Sequence, residues 1–250
     1  MNTIFRKGAR VLAVVVVGWL GGAGCQTVPA HDPGAEAAAR QAVAQVSAKP
    51  GINAEFLKPA LKTEEWVERF ESEGREVFAR RHEIVAAMGV APGAVVADVG
   101  AGTGLFVPLL VEATGPSGRV LAVDLVPDFL ALIRKRSVAA GWGNVETVLC
   151  TERSVNLPAG SVDVVFVCDT YHHFEYPQSS LASIHRALRP GGVLVLVDFK
   201  RVPGLSSEWI LKHVRAGQEV FTAEIEAAGF VKLDEPLMLK ENYVVRFRKR

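Results

Sequence analysis

The chain has 250 residues, which is enough for one sizeable α/β domain with short appendages and too few for two full catalytic domains. Hydrophobic residues make up 49% and charged residues 22%, a composition typical of a globular protein that excludes a largely disordered one. The formal net charge of +1 argues against nucleic acid or a strongly acidic surface as a partner.

The first 25 residues have the order of an export signal. Three basic residues within 6–10 precede an apolar run over 11–20, and small residues over 21–24 lead to Cys25. The apolar run is shorter than the ~20 residues that cross a bilayer comfortably. We therefore expect an exported protein, at the periplasmic face of a bacterial membrane or in the periplasm.

Cys25 follows small residues in a way that resembles the lipobox of bacterial lipoproteins, where the cysteine is lipidated and becomes the mature N-terminus. That motif prefers Leu three residues before the cysteine, whereas this chain has Gly22. Lipidation of Cys25 is the favoured interpretation, and ordinary signal-peptidase cleavage is the alternative. Residues 26–50 are rich in Ala and interrupted by Pro, so they predict a flexible tether to a domain over residues 51–250.

The pattern along this domain predicts a doubly wound α/β fold. Apolar residues recur at helical spacing over 63–88, with Gly74 as a break. Near-continuous β-branched runs then alternate with helical segments, which is typical of a parallel sheet covered on both faces. The predicted strands are residues 95–99, 120–124, 145–149, 162–168 and 193–199, and the predicted crossover helices are residues 105–113, 127–140 and 178–188.

The C-terminal part predicts two further strands, at residues 230–239 and 243–247, joined by a tight turn near Glu241 and Asn242. They would complete a mostly parallel sheet of seven strands that ends in an antiparallel hairpin.

The sharpest motif directly follows the first predicted strand. Residues 98–104 read Asp-Val-Gly-Ala-Gly-Thr-Gly, so a glycine-rich turn joins an apolar strand to a helix. Glycines let the backbone approach a ligand closely, and a helix N-terminus offers unpaired N–H groups. Ligands of open α/β sheets bind outside the carboxyl ends of the strands where the strand order reverses, and this turn fits that place.

Two carboxylates refine this motif. Asp98 would meet a positively charged part of a ligand and would be a poor neighbour for a pyrophosphate. Asp124 ends the next strand, where a carboxylate can accept both hydroxyls of a ribose. The glycine spacing is Gly-x-Gly-x-Gly and not G-x-G-x-x-G, which disfavours a nicotinamide oxidoreductase. The alternative for both acids is a helix cap or a strand-end turn.

Together these motifs resemble those of the class I S-adenosylmethionine-dependent methyltransferases, in the style of the small-molecule methyltransferases of quinone biosynthesis. The resemblance runs from about Trp66 to the C-terminus, and it also rests on Leu-Pro at 157–158 and on Leu-Arg-Pro-Gly-Gly at 188–192. It implies a Rossmann-like methyltransferase fold, S-adenosylmethionine as the cofactor and methyl transfer as the reaction.

The resemblance also implies which residues bind the cofactor. The glycine-rich turn and its acid would hold the methionine portion, Asp124 the ribose, and Leu125 would lie against the adenine. The family's usual aspartate for the adenine amino group has no exact counterpart, and Glu152 is the nearest acid, offset by one residue. The implied cofactor-binding residues are Asp98, Gly100, Ala101, Gly102, Thr103, Gly104, Asp124, Leu125, Glu152 and Asp169.

The segment 169–177, which follows the fourth strand, lies on the pocket side in such folds. It holds two histidines, two carboxylates and three aromatic residues. His172 and His173 are candidate catalytic bases because histidine titrates near neutral pH, and capping or packing of the loop is the alternative. No metal is predicted, because two adjacent histidines lack a third spaced ligand.

A candidate lid covers residues 209–217, where His213 and Arg215 are candidate substrate contacts. An exposed amphipathic helix is the alternative for this segment.

The sequence thus predicts a methyltransferase with a small or lipophilic acceptor, held at a membrane by a lipid anchor if Cys25 is lipidated. No nucleic-acid partner is expected. The alternative is an exported protein that binds S-adenosylmethionine or a related ligand without turnover, because S-adenosylmethionine is made in the cytoplasm. The intact glycines and acids favour retained binding.

Overall fold

The computed structural model describes residues 46–250. The predicted export signal, Cys25 and most of the predicted tether lie outside the described residues. Within the described range, no helix is both long enough and apolar enough to cross a membrane.

The last residues of the predicted tether contact the domain. Ser47 Oγ donates a hydrogen bond to Glu175 Oε2 (2.7 Å), and the amide of Gly51 donates to Glu175 Oε1 (3.0 Å). The amide of Ala48 donates to the backbone oxygen of Glu175 (2.7 Å). The packed part of the chain therefore begins a few residues before the predicted boundary at Gly51.

A seven-stranded mixed sheet forms the centre of the domain. Its strands are β1 (Val95–Val99), β2 (Arg119–Asp124), β3 (Val145–Leu149), β4 (Val162–Cys168), β5 (Leu188–Phe199), β6 (Phe230–Asp234) and β7 (Asn242–Lys249). They lie in the order β3-β2-β1-β4-β5-β7-β6. Strands β1 to β5 pair in parallel, and β7 runs antiparallel to both β5 and β6.

Helices surround this sheet. They are α1 (Thr63–Phe70), α2 (Glu76–Ala79), α3 (Arg81–Met88), α4 (Val107–Thr114), α5 (Pro127–Ala140), α6 (Pro177–Ala187), α7 (Glu208–His213) and α8 (Gln218–Ala227), and a short 3-10 helix covers Tyr171–His173. The predicted helical segment over 63–88 is thus three helices, and the predicted break at Gly74 falls between α1 and α2.

The sheet is covered on both faces because its central strands are apolar on both sides. All five residues of β1 are buried. One face packs against α6 and α8, and the other packs against α3, α4 and α5. Representative buried side chains are Leu181, Ile184, Phe221 and Ile225 on the first face, and Ile84, Leu110 and Ile133 on the second.

Most strand and helix predictions agree with the structure, but the predicted C-terminal hairpin is wrong in its first arm. The strand predicted over 230–239 ends at Asp234, and beyond it an isolated antiparallel bridge between Met238 and Tyr243 closes the predicted turn. Pro236 explains the early end, because proline has no N–H to donate to a strand ladder.

The order of the strands fixes where a ligand can bind. From β1 the chain turns to one side to form β2 and β3, and it later returns to the other side of β1 to form β4. The order therefore reverses between β1 and β4. A crevice at the carboxyl ends of these two strands is the general binding place of such sheets.

We predict that Gly104→Ala destabilises the domain by about 1–3 kcal/mol, because the change adds a side chain where the backbone and the packing both oppose it. Gly104 has a φ of +84°, and a Cβ atom there would lie 2.8 Å from Cγ1 of Ile133 on α5. Urea unfolding measures the effect. Gly143→Ala is the matched control, since no atom lies within 4 Å of a Cβ at Gly143. Equal stability of the two variants would contradict the prediction.

Candidate active site

A cavity of about 1110 Å³ opens at the carboxyl edge of the sheet. Val99, Asp124 and Cys168, the last residues of β1, β2 and β4, line it. Typical ligand pockets measure about 300–1,000 Å³, so this cavity has room for a cofactor together with a second molecule.

Both candidate catalytic bases and all the implied cofactor-binding residues except Gly104 line this cavity. Gly104 lies just beyond it, where the absence of a side chain lets the turn pack against Ile133. Its requirement for glycine is therefore explained by packing of the turn on α5, whereas the other residues of the motif face the cavity.

Backbone hydrogen bonds hold the glycine-rich turn against the end of β2. The amides of Gly100 and Ala101 both donate to the backbone oxygen of Val123, at 2.8 and 3.2 Å. Gly100 has a φ of +75°, and a Cβ atom there would lie 2.2 Å from Cγ2 of Thr170. Only glycine fits this position, because the loop after β4 approaches the turn so closely.

Asp124 connects the turn to the start of α5. Its Oδ2 accepts from the amide of Gly102 (2.7 Å) and its Oδ1 from the amide of Val126 (2.8 Å). The strand-end role that was the alternative for Asp124 is therefore present in the structure. A carboxylate has about four acceptor positions, so Asp124 can also accept hydroxyl groups from a ligand, and the ribose contact stays a prediction.

Asp98 is the most unusual group in the cavity. It is 3% exposed, and its Oδ2 has no hydrogen-bond partner among the described residues. Burial, together with the negative charge of Asp124, raises the pKa of Asp98 to about 7. Burial also raises the pKa of Asp124 to about 6. A buried carboxylate with an unfilled acceptor position is suited to a cationic N–H donor on a ligand.

Asp169 bridges three parts of the chain. Arg75 donates to its Oδ2 (2.6 Å), and the side chain of Asn242 donates to its Oδ1 (2.7 Å). Burial raises the pKa of Asp169 to about 6 in spite of the positive charge of Arg75. Sequence reasoning missed both partners, which lie 94 and 73 residues away along the chain with no local pattern to indicate them.

His172 is held by a buried carboxylate. Its Nδ1 lies 2.8 Å from Oδ1 of Asp198, and the two side chains are 1% and 0% exposed. The amide of His172 also donates to Oδ2 of Asp198 (3.1 Å). Because a carboxylate can only accept, Nδ1 of His172 donates this hydrogen bond, and Nε2 is the ring nitrogen left for another partner. Asp198 was not predicted, since it lies within the apolar run of β5.

His173 lies between two further polar side chains. Its Nδ1 is 3.2 Å from Oδ1 of Asn53, and its Nε2 is 3.2 Å from Nε2 of His213 on α7. Burial is the main reason that the pKa of His173 is lowered to about 2 and that of His213 to about 4. The reason for expecting no metal was the lack of a third ligand, and that reason does not hold, because the fold brings His213 to the pair.

Arg215, the other candidate substrate contact in the predicted lid, does not line the cavity. It forms an ion pair with Glu224 (2.6 Å) on α8. Of the two candidates in the predicted lid, His213 therefore lines the cavity, and Arg215 connects the segment to α8.

Aromatic rings line much of the remaining cavity. Phe56 packs against Trp66 with ring centroids 4.6 Å apart, and Phe70 lies 3.5 Å from the position of a Cβ atom at Gly102. Trp209 on α7 stacks on His213, with ring centroids 4.5 Å apart. Helix α1 therefore covers the glycine-rich turn, and α7 covers the histidines.

The fold and this site together define the class of protein. The seven-stranded sheet with the antiparallel order β5-β7-β6 at one edge is a Rossmann-like methyltransferase fold, as predicted. Residues 97–196 match the family model described as "Methyltransferase domain". This match begins within β1, one residue before Asp98, and ends within β5.

Comparison with particular proteins agrees with this class. Two curated relatives are named Ubiquinone/menaquinone biosynthesis C-methyltransferase UbiE. The one from Hydrogenovibrio crunogenus is 29% identical over 124 residues, which are 49% of this chain and 48% of the relative. The one from Burkholderia mallei is 30% identical over 118 residues, which are 47% of this chain and 48% of the relative. The chain thus spans about half the length of the curated relatives it matches.

A solved structure agrees over a larger share of the fold. The crystal structure of a SAM dependent methyltransferase from Aquifex aeolicus is similar with a TM-score of 0.68 and 22% identity, over 76% of this chain and 100% of that one. These findings confirm the predicted fold class. The family match supports the predicted methyltransferase domain with S-adenosylmethionine as its cofactor.

We predict that Asp98→Asn changes how stability depends on pH. The pKa of Asp98 in the folded protein is about 7, above its ordinary value of 3.8, so folding favours the protonated, neutral acid. The contribution of this neutral acid to the free energy of unfolding is fully present below about pH 4. That contribution is lost as the pH rises through about 7. The Asn variant cannot ionise and should be about 1–3 kcal/mol more stable than the wild type at pH 8.

Urea unfolding between pH 4.5 and pH 8 measures this difference. Asp234→Asn is the control, because Asp234 lies at the surface and Arg246 lowers its pKa, so that variant should show no gain at pH 8. An Asp98→Asn protein that is less stable than the wild type across this range would contradict the prediction.

Proposed function

We propose that the protein is an S-adenosylmethionine-dependent methyltransferase whose acceptor is a small lipophilic molecule. The observation that carries this proposal is the buried, unpartnered Oδ2 of Asp98 beside the glycine-rich turn. It lies in one cavity with Asp124 and with the two histidines of the 3-10 helix. The family match over residues 97–196 and the curated C-methyltransferase relatives support the same reaction class.

The residues of the cavity fit the cofactor. Asp98 offers an acceptor for the amino group of the methionine portion, and a positive charge nearby would relieve the repulsion between the two buried carboxylates. Asp124 would accept the ribose hydroxyls, and Leu125 and Glu152 would face the adenine. The cofactor, when bound, supplies a methyl group on a positively charged sulfur, and the protein's part is to orient the acceptor and exclude water.

The acceptor end of the cavity favours a lipophilic molecule. Aromatic rings from α1 and α7 line it together with the histidines. Such a lining binds an apolar body by burial and orients it through a few polar contacts. His172 and His173 are the polar groups that we place against the acceptor.

Export and a lipid anchor at Cys25 belong to the same proposal. They rest on the order of basic, apolar and small residues over 1–25. A membrane location would bring the cavity close to a source of lipophilic acceptors.

We predict that the full-length protein binds S-adenosylmethionine and S-adenosylhomocysteine at one site, and that Asp98→Asn weakens both affinities about 10- to 100-fold. The physical reason is the loss of a hydrogen bond between opposite charges. Isothermal titration measures the affinities. The pKa of Asp98 in the ligand-free protein is about 7. The wild-type affinity should therefore also fall as the pH drops below 7, and the Asn variant should lack this dependence.

Asp124→Ala should likewise lose saturable binding, and Asp234→Asn should bind as the wild type does. A folded wild-type protein that binds neither ligand would overturn the proposal. Binding without transfer to any lipophilic acceptor would instead favour the alternative of a non-catalytic binding protein.

A further inference from the structure

Three histidines meet at the acceptor end of the cavity. His172 and His173 come from the 3-10 helix, and His213 comes from the end of α7, 40 residues after His173. One ring nitrogen of each lies within 4.8 Å of those of the other two. The rings are also in contact, with centroids 4.4 Å apart for His172 and His173 and 5.2 Å apart for His172 and His213.

We propose that His172, His173 and His213 bind one divalent transition-metal ion, and that zinc matches this set of ligands best. Three imidazoles with a fourth position left open are the arrangement of a catalytic zinc site. The open position would face the cavity that all three side chains line.

The neighbours of two of these histidines orient them as metal ligands are oriented. A ligating histidine usually donates its second ring N–H to a carboxylate or a carbonyl oxygen, which fixes the tautomer. Nδ1 of His172 has the Asp198 carboxylate at 2.8 Å, and Nδ1 of His173 has the amide oxygen of Asn53 at 3.2 Å. Both contacts engage Nδ1, so Nε2 is the ring nitrogen left to face a metal.

The distances are close to those of a tetrahedral site. Zinc–nitrogen bonds of about 2.0–2.1 Å place neighbouring ligand nitrogens about 3.3 Å apart. Nε2 of His173 and Nε2 of His213 are separated by 3.2 Å. A hydrogen bond between these two rings would explain that distance, but it would not explain why a third ring, oriented by a buried carboxylate, lies against both.

Two charged groups lie close to the cluster and act in opposite directions on a bound cation. The Lys49 ammonium, which donates to the backbone oxygen of His213, opposes a cation here, and the buried Asp198 carboxylate favours one.

The metal would define the class of acceptor, and this part of the inference rests on the proposed function, whereas metal binding itself does not. An acceptor with a hydroxyl or thiol group would bind the ion as its anion, and the proton would leave to solvent. A lone pair of that oxygen or sulfur then forms the new bond to the methyl carbon. The electron pair of the breaking carbon–sulfur bond stays on the sulfur of the cofactor.

The test uses the full-length protein, freed of metal with a chelator and then titrated with zinc alone. We expect one tightly bound equivalent of zinc for the wild type. His213→Gln and His173→Gln should each weaken zinc affinity at least about 100-fold, since they remove a ligand while keeping most of the side-chain volume. His82→Gln is the matched control, because His82 is exposed on α3 and does not line the cavity.

A second readout does not depend on affinity. Cobalt in place of zinc should give the intense visible absorption of a four-coordinate ion in the wild type and in His82→Gln, and this absorption should be lost in His213→Gln. Circular dichroism and urea unfolding establish that each variant is folded. A parallel titration with S-adenosylhomocysteine separates a failure of the cofactor proposal from a failure of the metal proposal.

Stoichiometric zinc that depends on both His173 and His213 would support the metal site even if no cofactor bound. A folded wild-type protein that binds no zinc at micromolar concentration, or zinc binding that survives both substitutions, would overturn it.

Discussion

The hydrogen bond from the amide of Gly102 to Asp124 holds the glycine-rich turn after β1 against the last residue of β2, and both line the cavity. At 2.7 Å the bond fixes the turn against its neighbour, while the second oxygen of Asp124 fixes the start of α5. Asp98, four residues before Gly102, is held beside this junction by the pairing of β1 with β2 and β4.

The same junction concentrates negative charge where water is excluded. Asp98 and Asp124 are 3% and 5% exposed, and burial raises the pKa of both. A protein selected for stability alone would not keep Asp98 with an unpartnered oxygen in its core, because a buried carboxylate without a partner is costly. Strained or destabilising groups of this kind are typical of functional sites, and a cationic ligand gives Asp98 the partner that the folded chain lacks.

Local pattern was enough to predict the sheet and to indicate that the glycine-rich turn and its two acids lie together. Strand β1, the turn and Asp98 are adjacent in sequence, and Asp124 ends the next strand, and all of them line one cavity. The partners of the histidines could not be predicted in this way. Asp198, Asn53 and His213 reach the histidines from three separate elements, and only the tertiary fold places them there. The end of β6 was misjudged because an apolar run was given more weight than Pro236.

Different residues of the cavity are assigned to the cofactor and to the methyl acceptor, and this explains why the class of reaction is easier to infer than the identity of the acceptor. We assign the cofactor to the glycine-rich turn and the acids at the carboxyl edge of β1 and β2. We assign the acceptor to the aromatic rings of α1, α7 and the segment before α1, and to the histidines of the 3-10 helix and α7. The fold therefore carries information about the cofactor, and only the side chains of the site carry information about the acceptor.

The most direct test of the central claim is a crystal structure of the protein with S-adenosylhomocysteine. The account predicts that the amino group of the ligand lies within hydrogen-bond distance of Oδ2 of Asp98, with its ribose hydroxyls at Asp124. A ligand that binds elsewhere, or one that occupies the cavity without contacting Asp98, would contradict it.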